Sequence, residues 1–118
     1  MRVAALAMAL VLGACGRPGQ SQVVAYVSLD EMFSRPILDD FEKQTGIRVV
    51  MVTDQEASKT TGLMNRLIQM KERPEADLFW NNETMRSIVL RRKGIIEPYA
   101  TPSAADIPAR FKDPAGHW

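Results

Sequence analysis

The sequence predicts an α/β fold, a parallel sheet with flanking helices, and three observations point to it. Short apolar runs rich in β-branched residues alternate with segments whose apolar residues recur at helical spacing. The order is strand then helix, repeated along the chain, which favours parallel strands joined by helical crossovers. Each helical segment closes on a stop signal: Gly46, Pro74 or Gly94.

Val23-Val24-Ala25-Tyr26-Val27 reads as a buried first strand. Phe33, Ile37, Leu38 and Phe41 form the expected apolar stripe of the first helix, with Pro36 in or near its first turn. Ile47 to Val52 reads as a second strand, interrupted by Arg48. Leu63, Met64, Leu67, Ile68 and Met70 line a second helix, and its methionines suit adaptable core packing better than a cofactor. Ala76 to Trp80 is a third short strand, and Met85, Ile88 and Val89 mark a third helix. A tail containing Pro98, Pro102, Pro108 and Pro114 follows.

The chain opens with a different kind of segment. Residues 1–14 hold one charge, Arg2, then an apolar run from Val3 to Leu12, then Gly13 and Ala14. A positive start, an apolar stretch and a small-residue exit describe a secretory signal. The run is short of the roughly 20 residues a membrane-spanning helix needs. Cys15, the one cysteine, follows directly, and Leu12-Gly13-Ala14-Cys15 resembles a bacterial lipobox. That resemblance implies cleavage before Cys15, lipid attachment at Cys15, and a periplasmic or extracytoplasmic location with the protein held to the membrane by its lipid. Residues 15–22 then form a polar, Gly- and Pro-containing tether, and residues 23–118 form the folded body.

With one cysteine the body has no internal disulfide and rests on its core. From Cys15 onward, 14 basic and 14 acidic side chains balance, so no clustered basic face argues for nucleic acid. The sequence carries no nucleophile elbow, P-loop, paired-cysteine motif or glycine-rich dinucleotide fingerprint. His117, the single histidine, reads as an exposed turn residue.

In a parallel sheet, ligands bind beyond the carboxyl ends of the strands. That rule selects three loops: residues 28–31, 53–62 and 81–84. Ser28, Thr60, Thr61, Asn81 and Asn82 are short hydrogen-bonding side chains; taken singly each suits helix capping better, and the case for a polar ligand is that the three loops converge on one edge. Asp30 and Glu83 each follow a strand and offer anionic oxygen to a hard cation or to acid–base chemistry. Asp54 and Glu56 read as solvated loop carboxylates. An anionic ligand would instead use Thr60, Thr61 and Asn82 with helix-terminal amides.

FEKQTGI at 41–47, RPEADLFWNNE at 73–83, KGIIEPY at 93–99 and IPARFKDPAGHW at 107–118 occur in that order after the lipobox-like segment. Together they resemble the first lobe of a bacterial extracellular solute-binding protein, nearest to the ferric-iron-binding type that feeds an ABC importer. The resemblance covers Val23 to Trp118. It implies the first lobe of a two-lobe periplasmic-binding-protein fold, with the second lobe absent from this sequence. It also implies a monomeric, non-enzymatic carrier without a cofactor. Its partners would be the importer's membrane subunits and its ligand a small solute, with ferric iron the family's case. The ligand half-site it implies is Ser28, Asp30, Thr60, Thr61, Asn82 and Glu83, with Asp30 and Glu83 as the metal ligands. Asp30 stands where many relatives carry a histidine after the first strand. Two other expectations stay open: a small secreted hydrolase using Asp30 and Glu83, and a single-lobe interaction lipoprotein.

Overall fold

The computed structural model of the protein describes residues 21–54 and 59–118. The expected signal segment 1–14, Cys15 and most of the expected 15–22 tether lie outside the described residues. Strands β1 (Gln22–Val27), β2 (Arg48–Val52) and β3 (Leu78–Trp80) form one parallel sheet in the order β2-β1-β3. Val23 lies opposite Val49 and Tyr26 opposite Val52, while Ala25 faces Leu78 and Val27 faces Trp80.

The order dictates where the helices go. Helix α1 (Glu31–Thr45) carries the chain from the central strand outward to β2. Helix α2 (Lys59–Gln69) carries it back past β1 to β3, and α3 (Thr84–Arg92) follows. Two right-handed crossovers running in opposite directions fall on opposite faces of the sheet. On one face Leu38 of α1 packs with Ala25, Val27 and Val49, bordered by Val23, Met51 and Trp80. On the other face Tyr26 is buried beneath α2. Its hydroxyl donates to Met70 Sδ at 3.7 Å and the Arg66 guanidinium lies 5.2 Å above its ring. Leu63, Met64 and Leu90 are also buried, and α2 packs on α3.

The first helix departs from its expected stripe. Phe33, Ile37 and Phe41 are 55%, 56% and 40% exposed. The inward row is Ser34 and Leu38, one position round the helix. Ser34 is tolerated there because its Oγ donates to Asp30 O at 3.2 Å. Pro36 sits inside α1 rather than in its first turn. The i−4 partner of its missing N–H is Met32, an exposed residue whose carbonyl water can serve.

β2 and β3 are shorter than the apolar runs that announce them, while β1 gains Gln22. β3 starts at Leu78, not Ala76, because Asp77 replaces part of the ladder with its side chain. Its N–H donates to Val24 O at 2.9 Å and its Oδ2 accepts the Val24 N–H at 2.8 Å. On the opposite border Arg48 N–H turns inward to Ser21 O, and the next donor, Val49 N–H, is taken by Glu42 Oε1 of α1. An edge donor satisfied in this way is unavailable to another chain.

Helix α3 ends in a Schellman motif. Ile95 N–H donates to Leu90 O and Gly94 N–H to Arg91 O, with Gly94 at φ 63°. The tail then folds back onto α3. Asp113, nearly buried, accepts Arg91 Nη1 at 3.1 Å and is 2.8 Å from His117 Nδ1. His117 N–H reaches the same carboxylate at 3.2 Å, and the Arg91 guanidinium sits 5.8 Å from the Trp118 ring centre. His117 is therefore a half-buried partner of Asp113, not an exposed turn residue. Burial pushes the Asp113 carboxyl up, but the His117 ring and backbone bonds and the Arg91 charge outweigh it, and the net direction is down. A carboxyl lowered on folding stabilises the folded state above its unfolded pKa, about 4. That contribution disappears as pH falls through the lower folded value. Acid titration followed by tail proteolysis should therefore show release of the tail below about pH 4 in the native protein. Asp113→Asn should release it at neutral pH; equal protection of the two at pH 7 would contradict this.

Candidate functional site

The candidate site lies where the strand order reverses. The chain leaves β1 toward β2 and returns to β3 on the opposite side, so a crevice opens beyond the carboxyl ends of β1 and β3. Ser28 N–H extends the ladder to Trp80 O at 2.9 Å and holds the two ends together.

The loop after β1 runs Ser28-Leu29-Asp30 directly into α1. Ser28 is buried and its Oγ donates to Trp80 O at 3.3 Å, so it braces the crevice wall. Asp30 is exposed and is the N-cap residue of α1. Its carbonyl accepts Phe33 N–H and Ser34 N–H at 2.9 and 3.0 Å. Its carboxylate makes no capping bond.

The loop after β3 is built by Asn81. Asn81 Oδ1 accepts Glu83 N–H at 2.9 Å, and Nδ2 donates to Ser87 Oγ at 3.2 Å. Asn81 thus serves the turn and α3, the capping role open to it in the sequence. Asn82 and Glu83 project from that turn and are exposed. Glu83 is the N-cap residue of α3, again without a side-chain capping bond. Its Oε2 accepts Arg86 Nε at 3.1 Å. Both N-cap residues sit at the positive ends of helix dipoles.

The second loop enters α2. Thr61 is exposed in the first turn, while the Thr60 side chain lies outside the described set. The Asp54 carboxylate approaches Gly62 in that same turn. Of the residues named from sequence, the fold brings Ser28, Asp30, Asn82 and Glu83 to the crevice between β1 and β3. Thr61 lies on the β2 side. Sequence reading missed Arg86 and Ser34; Arg86 was available as an i,i+3 partner of Glu83. Among the described residues no group of three or more His, Cys, Asp or Glu side chains could hold a metal ion by itself. Asp30 and Glu83 can supply only part of a coordination shell. A cavity of about 60 Å³ between Tyr26, Met70, Lys71, Pro74 and Ile95 lies beside the segment entering β3, away from this crevice.

Among solved structures, the chain is similar to ferric iron-binding protein A of Mannheimia haemolytica in an open conformation. The identity is 25% and the TM-score 0.69, over 81% of this chain and 29% of that one. It is also similar in fold to the Trichodesmium protein IdiA (FutA) in complex with iron and citrate, at 22% identity and TM-score 0.66. That match spans 85% of this chain and 30% of the other. The fold matches a lobe of the periplasmic-binding-protein fold. This chain spans about three-tenths of the length of each neighbour. No family model and no curated protein matches it. The neighbours are substrate-binding proteins, not enzymes, so the hydrolase expectation has no counterpart among them.

Proposed function

We propose that this chain is the first lobe of a lipid-anchored, extracytoplasmic solute-binding component of an ABC importer. It contributes half of a site for a hard cation, ferric iron being the case the neighbours' ligands suggest. The observation that carries the reading is the pair Asp30 and Glu83. Both are exposed N-cap carboxylates that do not cap their helices, and they stand on the two loops that flank the strand-order reversal. Oxygen donors of this kind suit a hard, highly charged cation. Asn82 adds a neutral oxygen, Ser28 fixes the wall, and Thr60 and Thr61 border the β2 side. Closure of a second lobe would complete the shell, and the ligand would stabilise the closed state by touching both lobes. Arg86 holds Glu83 until a cation displaces it. The protein acts as a monomer that passes its ligand to the importer's membrane subunits.

Trp80 ends β3 beside the crevice and gives a local readout. With Trp118 replaced by phenylalanine, ferric citrate should quench Trp80 fluorescence saturably. Strictly linear, non-saturating quenching would contradict the reading. The anchor has its own test: labelled palmitate should enter the protein in expressing cells and be lost in Cys15→Ser. Equal labelling of both forms would exclude attachment at Cys15.

A further inference from the structure

Helix α2 differs from α1 at its start. The first turn of α1 contains Glu31, whereas that of α2 contains no acidic residue. The N–H groups of a first turn lack intrahelical acceptors and carry the positive end of the dipole. A negative charge nonetheless reaches α2 from outside the helix. A methyl group built on Gly62 Cα would overlap Asp54 Oδ2, and Asp54 Cγ would lie 2.7 Å from it. Gly62 has no left-handed φ, so backbone conformation does not demand glycine there. Space does: the Asp54 side chain occupies the volume a Cβ would need. Asp54 arrives there because β1 and β2 end in register, Tyr26 opposite Val52, which sets Asp54 two residues past the end of β2.

We infer that Asp54 is the built-in counter-charge of α2 and that Gly62 is glycine in order to admit its carboxylate. Among the described residues of the second loop, the group placed beside the first turn of α2 is thus the Asp54 carboxylate. Of the two ligand signs left open by sequence, this disfavours an anion held by Thr60, Thr61 and the α2 amides. The statement about ligand sign rests on the function proposed above; the Asp54–Gly62 contact does not.

A double-mutant cycle on the 118-residue chain tests the contact. In an ordinary helix, glycine to alanine is stabilising. Here Gly62→Ala would push the Asp54 carboxylate away from the helix start, so the usual gain in Tm should be reduced or lost. In an Asp54→Ala background the same substitution should raise Tm. An equal change in Tm in both backgrounds would overturn the inference. Should Gly62→Ala fail to fold, the double variant decides: a folded double variant supports the contact and an unfolded one overturns it. Inorganic phosphate then tests the consequence for the ligand. The amide resonances of Thr61 and Gly62 should move with phosphate in Asp54→Ala and stay fixed in the native protein; equal movement in both would overturn it. Loss of ferric binding would count against the proposed function and leave this cycle unaffected.

Discussion

Replacing Leu90 by alanine is expected to cost about 2–5 kcal/mol, the range for a fully buried leucine whose cavity cannot collapse. Leu90 has no exposed surface and lies in the last turn of α3, where its carbonyl also accepts the Ile95 N–H. A small domain has only about 5–15 kcal/mol to lose. Thermal melting should shift down by roughly 10 °C or more. Leu90→Met, which keeps volume, should cost under about 1.5 kcal/mol. Leu78→Ala should also be mild, because Leu78 is 47% exposed although it lies in β3. A Leu90→Ala melt within a degree or two of the native protein would mean that α3 is not part of the core described above.

The second large effect concerns binding. Asp30→Asn with Glu83→Gln removes two charges and keeps shape. Asparagine is as good an N-cap residue as aspartate, so α1 should survive. The double variant should lose at least tenfold in ferric citrate affinity, a difference of about 1.4 kcal/mol, read from Trp80 quenching. Affinity for an anion such as phosphate should stay level or rise. Unchanged ferric affinity would remove both residues from the site.

Much of the fold was legible because its signals are local. The β-branched runs, the closing glycines at 46 and 94 and the break at Pro74 placed the three α-helices and three strands to within a few residues, but not the two short 3-10 turns of the tail, Pro102–Ala104 and Ala109–Phe111. What escaped was set by tertiary packing. The row Phe33, Ile37 and Phe41 satisfies the helical period as well as Leu38 does, and nothing in periodicity distinguishes the face that meets the sheet. The start of β3 was hidden because a side-chain oxygen of Asp77 stands in for a backbone partner. His117 looked exposed because its partner Asp113 is held by Arg91, 22 positions away in sequence. At the site, the rule of strand carboxyl ends selected loops that do follow the ends of β1, β2 and β3 in the fold. It could not separate Asn81, spent on its turn, from Asn82 and Glu83, which are not. Nor could it show that Asp54 serves a helix rather than solvent: that depends on the close approach to Gly62, visible only once β2 and α2 are set together.

The proposed function requires a hard cation to bind in the crevice between β1 and β3, through Asp30 and Glu83. Gallium(III) citrate, a diamagnetic stand-in for ferric iron, tests it most directly when titrated into the isotope-labelled chain and followed by NMR. Saturable shifts should concentrate at Asp30, Asn82 and Glu83, with a smaller response at Arg86 as its ion pair opens, and should be missing in the Asp30→Asn, Glu83→Gln variant. Shifts centred elsewhere, such as around Asp113 and His117, or persisting unchanged in that variant, would contradict it.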